Sequence, residues 1–179
     1  MKILLVGPRA SGKSTIGRVL ADRLGWPCHD VDDYIEAREG DTLASIYTTK
    51  GNTHFRRVEA DVARDLMRED SCVITFGAGT VMTQANRELI DEDVFVVYLR
   101  VPSDILWARI QADAGSASRR PPLRSGGREE VEELLSLRGP VYEEVASLIT
   151  DGTEAPEELV SCIMDAALRR KGTDEQSPC

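Results

Sequence analysis

One stretch constrains this chain more than any other: Gly7-Pro8-Arg9-Ala10-Ser11-Gly12-Lys13-Ser14-Thr15. It fits G-x-x-x-x-G-K-[ST], a loop that cradles nucleotide phosphates. Glycines at both ends let the backbone curl so that several N–H groups point at one anion. Lys13 places a point charge on the β- and γ-phosphates, and the Ser14 hydroxyl ligates Mg²⁺. The N-terminus of the following helix adds its partial positive charge. The flanks suit the motif. Lys2-Ile3-Leu4-Leu5-Val6 reads as a buried strand feeding the loop, and Ile16, Val19, Leu20 and Leu24 then recur at helical spacing. A Gly/Ser-rich turn without a ligand is the plain alternative.

Composition narrows the setting. At 179 residues the chain suits one domain with a real core. Its net charge of −9 argues against nucleic acid or an anionic membrane as a general partner, so any anion must be met by a local basic cluster. Cys28, Cys72, Cys162 and Cys179 show no C-x-x-C spacing, which argues against a disulfide scaffold or a zinc site. His29 and His54 lack metal-like spacing too. The chain enters its first strand with no signal-peptide layout and no long apolar run. A cytoplasmic, monomeric enzyme is the expectation.

Strand and helix signals alternate along the chain. The first helix is predicted over 13–24, ended by Gly25 and Pro27, with a short strand in Pro27-Cys28-His29-Asp30. Acidic residues then open a helix that Gly40 ends. Asp41-Thr42 can cap a short helix carrying Leu43, Ile46 and Tyr47; Gly51-Asn52 breaks it, and a further helix over 53–68 buries Phe55, Val58, Val62 and Leu66. A strand at 72–76 ends in Gly77-Ala78-Gly79. Thr83 is read as the cap of a helix holding Ala85, Leu89 and Ile90, and 94–99 is the most apolar strand. Pro102-Ser103 starts the next helix. Residues 112–127 are rich in Gly, Ser, Pro and Arg and lose all periodicity, as a functional loop does. A helix over 129–146 follows, with a kink expected at Gly139-Pro140, then a strand at 148–150. A last helix from Pro156 turns Leu159, Val160, Ile163, Met164, Ala167 and Leu168 inward, and a tail is expected over 172–179. This alternation implies a parallel sheet covered on both faces, with ligands beyond the carboxyl ends of its strands.

Further motifs resemble the shikimate kinase family, a branch of the nucleoside-monophosphate-kinase-like P-loop fold. Asp30-Val31-Asp32 with Ile35-Glu36 is similar to the family's D-x-D-x-x-I-E. Gly51 with Phe55-Arg56-Arg57-x-Glu59 is similar to its G-x-x-x-F-R-x-x-E. Gly77-Ala78-Gly79 stands where the family has three glycines, and Arg120-Pro121 and Arg138-x-Pro-x-Tyr142 match its lid R-P and downstream R-x-x-x-Y. The resemblance spans Lys2 to about Leu168. It implies an α/β fold, a three-layer α/β/α sandwich with a five-stranded parallel sheet. Residues 1–171 would form one kinase domain, with a helical acceptor-binding segment at about 31–61 and a mobile lid at about 112–126. The implied reaction is ATP plus shikimate giving ADP and shikimate 3-phosphate, with ATP and Mg²⁺ required.

Roles follow from the same resemblance. Gly7, Arg9, Ala10, Ser11, Gly12, Lys13, Ser14 and Thr15 hold ATP. Ser14 and Asp30 serve the metal, Asp30 through its water shell. Asp32 hydrogen-bonds the attacking hydroxyl and can take its proton; both acids would also suit a helix's first turn, the reading kept for Asp33. Arg56 and Arg138 hold the acceptor carboxylate, with Glu59 orienting Arg56; each arginine would equally suit a surface ion pair. Gly77, Ala78 and Gly79 bind the acceptor, Ala78 offering it a backbone N–H. Arg120 closes on the transferring phosphate as an arginine finger, in a register that could slip by one, or is a solvated loop cation. Arg109 stacks near adenine or lies on a helix surface. Other acceptors, such as gluconate or a nucleotide, and a non-catalytic nucleotide-binding module stay open here. At Ala78 the expectation is φ < 0, since a positive φ would strain alanine.

Overall fold

The computed structural model describes residues 1–113 and 127–174. Five strands, β1 (Lys2–Val6), β2 (Cys28–Asp30), β3 (Val73–Thr75), β4 (Val94–Arg100) and β5 (Leu148–Asp151), form one sheet in the order β2-β3-β1-β4-β5. All four pairings are parallel, with Leu4 opposite Ile74 on one side and Val96 on the other. The helices are α1 (Lys13–Leu24), α2 (Val31–Glu39), α3 (Leu43–Leu66), α4 (Gln84–Arg87), α5 (Ser103–Ala112), α6 (Arg128–Val145) and α7 (Pro156–Asp174). Alternation along β1 divides the core. Leu4 and Val6 join a cluster with Ile35, Ile46, Phe55 and Tyr142, while Ile3 and Leu5 join one with Ile16, Leu20, Val160 and Ile163. Burial on both faces is why β1 and β4 read as continuous apolar runs.

Several local expectations need correction. Thr83 stands at the N-cap of α4, yet its hydroxyl makes no cap bond; α4 is a single turn, preceded by a 3₁₀ turn over Thr80–Met82. Arg87 donates to the carbonyls of Val81 and Met82 and so holds that tight turn. The break expected at Gly51 is present: it leaves helical space at φ 79° and ψ 168°, and α3 is two helical segments that meet at a kink there. Pro140 lies inside α6, which runs through it from Arg128 to Val145. Leu168 is 63% exposed, because the buried stripe of α7 runs through Ile163 and Ala167 instead. The helix α7 itself continues past Gly172 to Asp174. No helix among the described residues is long and apolar enough to cross a membrane.

Candidate active site

The loop between β1 and α1 is built around Lys13. Its ammonium donates to the carbonyls of Gly7 (3.0 Å) and Pro8 (2.7 Å) and to Ser11 Oγ (3.3 Å), so a cation stands inside the ring of backbone. Gly12 caps α1 at φ 97°, where a side chain would be strained, and Ala10 takes a left-handed φ of 63° despite its Cβ. Arg109 of α5 donates to the carbonyls of Ala10 and Ser11 and, through its other terminal nitrogen, to Gly152 O at 3.0 Å. It thus ties the loop to the turn after β5. Burial draws the Arg9 guanidinium below its usual range, while the carboxylates of Asp113 and Glu130 act to raise it. Thr15 sits exposed in the first turn of α1.

Asp30 and Asp32 link this loop to the rest of the cleft. Asp30 ends β2 and caps α2, its Oδ1 accepting the Asp32 N–H at 3.0 Å. Ser14 Oγ donates to Asp30 Oδ2 at 2.6 Å. Two hard oxygens this close suit Mg²⁺, which takes one or two protein oxygens and completes its shell with phosphates and water. No cluster of three or more His, Cys, Asp or Glu that could hold a metal by itself occurs among the described residues. Glu36, within the acidic motif, is structural. Its Oε1 accepts the Leu43 N–H at 2.9 Å and fixes the start of α3.

The turn after β3 is where the remaining candidates converge. A Cβ placed on Gly77 would lie 3.0 Å from Asp32 Oδ1, and one on Gly79 would lie 2.6 Å from Arg56 Nη1. Both glycines are therefore there for space, so that a carboxylate and a guanidinium can lie against bare backbone. Arg138 Nη1 reaches Ala78 O at 3.4 Å, and the buried Tyr142 hydroxyl donates to the same oxygen at 2.5 Å. Among the described residues only Ala10 and Ser71 are non-glycines with positive φ, so Ala78 meets its expected sign. Arg56 donates to Glu59 at 2.6 Å, the anticipated pair. The sequence motifs did not single out the tyrosine hydroxyl as a ligand of the turn. Its signal was available, since a phenol inside a core needs a polar partner. Arg120 and most of the expected lid lie outside the described residues.

A five-stranded parallel sheet with an N-terminal phosphate loop and an arginine-lined second subsite defines a P-loop phosphotransferase. The family model described as shikimate kinase matches residues 9–168. A shikimate kinase of Aromatoleum aromaticum is 39% identical over 153 residues, 85% of each chain. One from Chromobacterium violaceum is 38% identical and covers 95% of this chain and 94% of its own. Among solved structures, shikimate kinase from Acinetobacter baumannii in complex with shikimate superposes with a TM-score of 0.87 at 32% identity, covering 95% of this chain and 94% of that one. The chain belongs to the shikimate kinase family.

Proposed function

We propose that this chain is an ATP-dependent kinase that transfers the γ-phosphate of ATP to the 3-hydroxyl of shikimate, giving ADP and shikimate 3-phosphate. The observation that carries the reading is the convergence of Asp32, Arg56 and Arg138 on the turn Gly77-Ala78-Gly79, which follows the strand next to that of the phosphate loop. A carboxylate and two arginines around bare backbone suit an acceptor that is both hydroxylated and anionic. A nucleotide acceptor would call for groups that recognise a base.

Phosphoryl transfer needs positioning and charge stabilisation more than covalent chemistry from the protein. Gly7 to Thr15 bind the triphosphate through backbone N–H groups, and Lys13 neutralises charge at the β- and γ-phosphates. Ser14 would hold Mg²⁺ directly and Asp30 through water; the bound ion would offset phosphate charge. Asp32 orients the acceptor hydroxyl and takes its proton as the oxygen bonds to phosphorus and the bond to the ADP oxygen breaks. Arg56 and Arg138 hold the carboxylate at the far side of the ring. Arg120 serves the transferring group and Arg109 the adenine end. The reading includes one kinase domain over 1–171, a monomer and a cytoplasmic setting.

Coupled ADP release with a panel of hydroxy acids tests the reading. Turnover should depend on shikimate and exceed that with gluconate or a nucleotide. Preference for another acid would change the acceptor, and ADP release indifferent to any acceptor would favour a nucleotide-binding module.

A further inference from the structure

We infer that Thr80 is a positioning residue for acceptor binding, acting on Arg56 through Glu59. The inference rests on the reading of Arg56 as the acceptor-carboxylate anchor. Glu59 is 1% exposed, and a buried carboxylate is tolerated only when both oxygens find donors. Arg56 Nη1 donates to Oε2 at 2.6 Å, and the Thr80 hydroxyl donates to Oε1 at 2.8 Å. A carboxylate held at one oxygen can rotate about its last torsion; held at both, its plane is fixed. The direction of the Arg56 fork is then fixed with it, which matters because a planar guanidinium binds a carboxylate well in only a narrow set of orientations.

Thr80 is itself held rigidly. It is fully buried, its N–H donates to Gly77 O at 3.0 Å, and its carbonyl accepts from Asn86 Nδ2 at 2.7 Å. Since a carboxylate only accepts, the hydroxyl proton must point at Glu59. The Arg56 side chain remains 27% exposed, so the guanidinium is anchored at one nitrogen while some of it still faces solvent. The Gly77–Thr80 turn therefore contributes to acceptor binding twice: Gly79 by making room for Arg56, and Thr80 by aiming it.

The test is steady-state kinetics on the full chain with Thr80→Val, which removes the hydroxyl at near-constant volume, and Thr80→Ser, which keeps it. Thr80→Val should raise the shikimate KM about tenfold, the order expected when a buried charged group loses a donor. Its ATP KM and kcat should stay within about twofold, and Thr80→Ser should match the parent in shikimate KM. In an Arg56→Ala background, Thr80→Val should add nothing. An unchanged shikimate KM in Thr80→Val, an equal rise in ATP KM, a Ser variant as impaired as Val, or a full effect without Arg56 would each overturn the inference. If valine crowds the turn and the variant unfolds, Thr80→Ala removes the same hydroxyl with less volume and must show the same KM shift. Failure of the underlying reading looks different: Arg56→Ala would then leave the shikimate KM unchanged.

Discussion

Two alanines in the site differ in what they cost. Ala78 keeps an unstrained backbone, and its carbonyl is shared by Tyr142 and Arg138. Replacing it with glycine relieves nothing and leaves those donors in place. Ala78→Gly should therefore change kcat/KM for shikimate by only a few-fold, about 1 kcal/mol or less. A gain of about a hundredfold, roughly 2.7 kcal/mol, would instead show that the methyl group occupies acceptor space. Ala10 is the strained one, at φ 63°. Left-handed geometry costs alanine roughly 1–2 kcal/mol, and glycine gives back about 0.5–1 through its freer unfolded chain. Ala10→Gly should thus stabilise the protein by about 0.5–1 kcal/mol and raise Tm by about 1–4 °C in a thermal melt. An unchanged or lower Tm would mean that the surrounding loop relaxes the strain. At this scale the sequence was unevenly legible. Ala78 stood out because a family glycine was missing. Ala10 did not, since the phosphate-loop pattern leaves its position open and backbone angles are not written in residue names.

The kink in α3 has a function that a continuous helix would not serve. Leu43 to Lys50 packs Leu43 and Ile46 into the core, and the segment after Gly51 must turn Phe55 inward while pointing Arg56 at the cleft. Gly51 makes that change of direction at φ 79° and ψ 168°, a region essentially closed to other residues. Nothing lies within 4 Å of a Cβ added there, so the cost of Gly51→Ala is purely conformational. About 1–3 kcal/mol of stability should be lost on denaturant unfolding. The shikimate KM should rise, because Arg56 and Glu59 ride on the displaced segment, while the ATP KM holds. Unchanged stability would place the kink elsewhere. Breakers and periodicity had located this element within a residue or two. What they could not give was the direction in which the second segment leaves, because that depends on the φ and ψ that Gly51 adopts. Pro140 shows the converse. Proline lacks one N–H, and α6 continues through it while delivering Arg138 and Tyr142, one turn apart, to the same carbonyl.

Across the whole molecule, the strand order puts β1 and its phosphate loop in the middle of the sheet, between β3 with its Gly77–Gly79 turn and β4. The net charge of −9 repels anionic substrates at long range, so the local cations must supply the attraction. Lys13, Arg9 and Arg109 stand at the phosphate loop and Arg56 and Arg138 at the Gly77–Gly79 turn, with Ser14–Asp30 and Asp32–Gly77 as the links between them. This division makes Lys13→Ala diagnostic. Lys13 is half-buried, and its ammonium bonds to Gly7, Pro8 and Ser11 of its own loop, outside both core clusters. Its loss should leave the fold and the binding of shikimate, measured by calorimetry, nearly intact. What disappears is a charge aimed where negative charge is redistributed during transfer. Removing a single preorganised stabilising group of this kind typically costs about 10²–10³ in kcat. The expected outcome is a kcat lowered at least that far, with the thermal melt little changed. Shikimate binding lost together with turnover would mean that the two halves do not act separately, and an unchanged kcat would remove Lys13 from the chemistry.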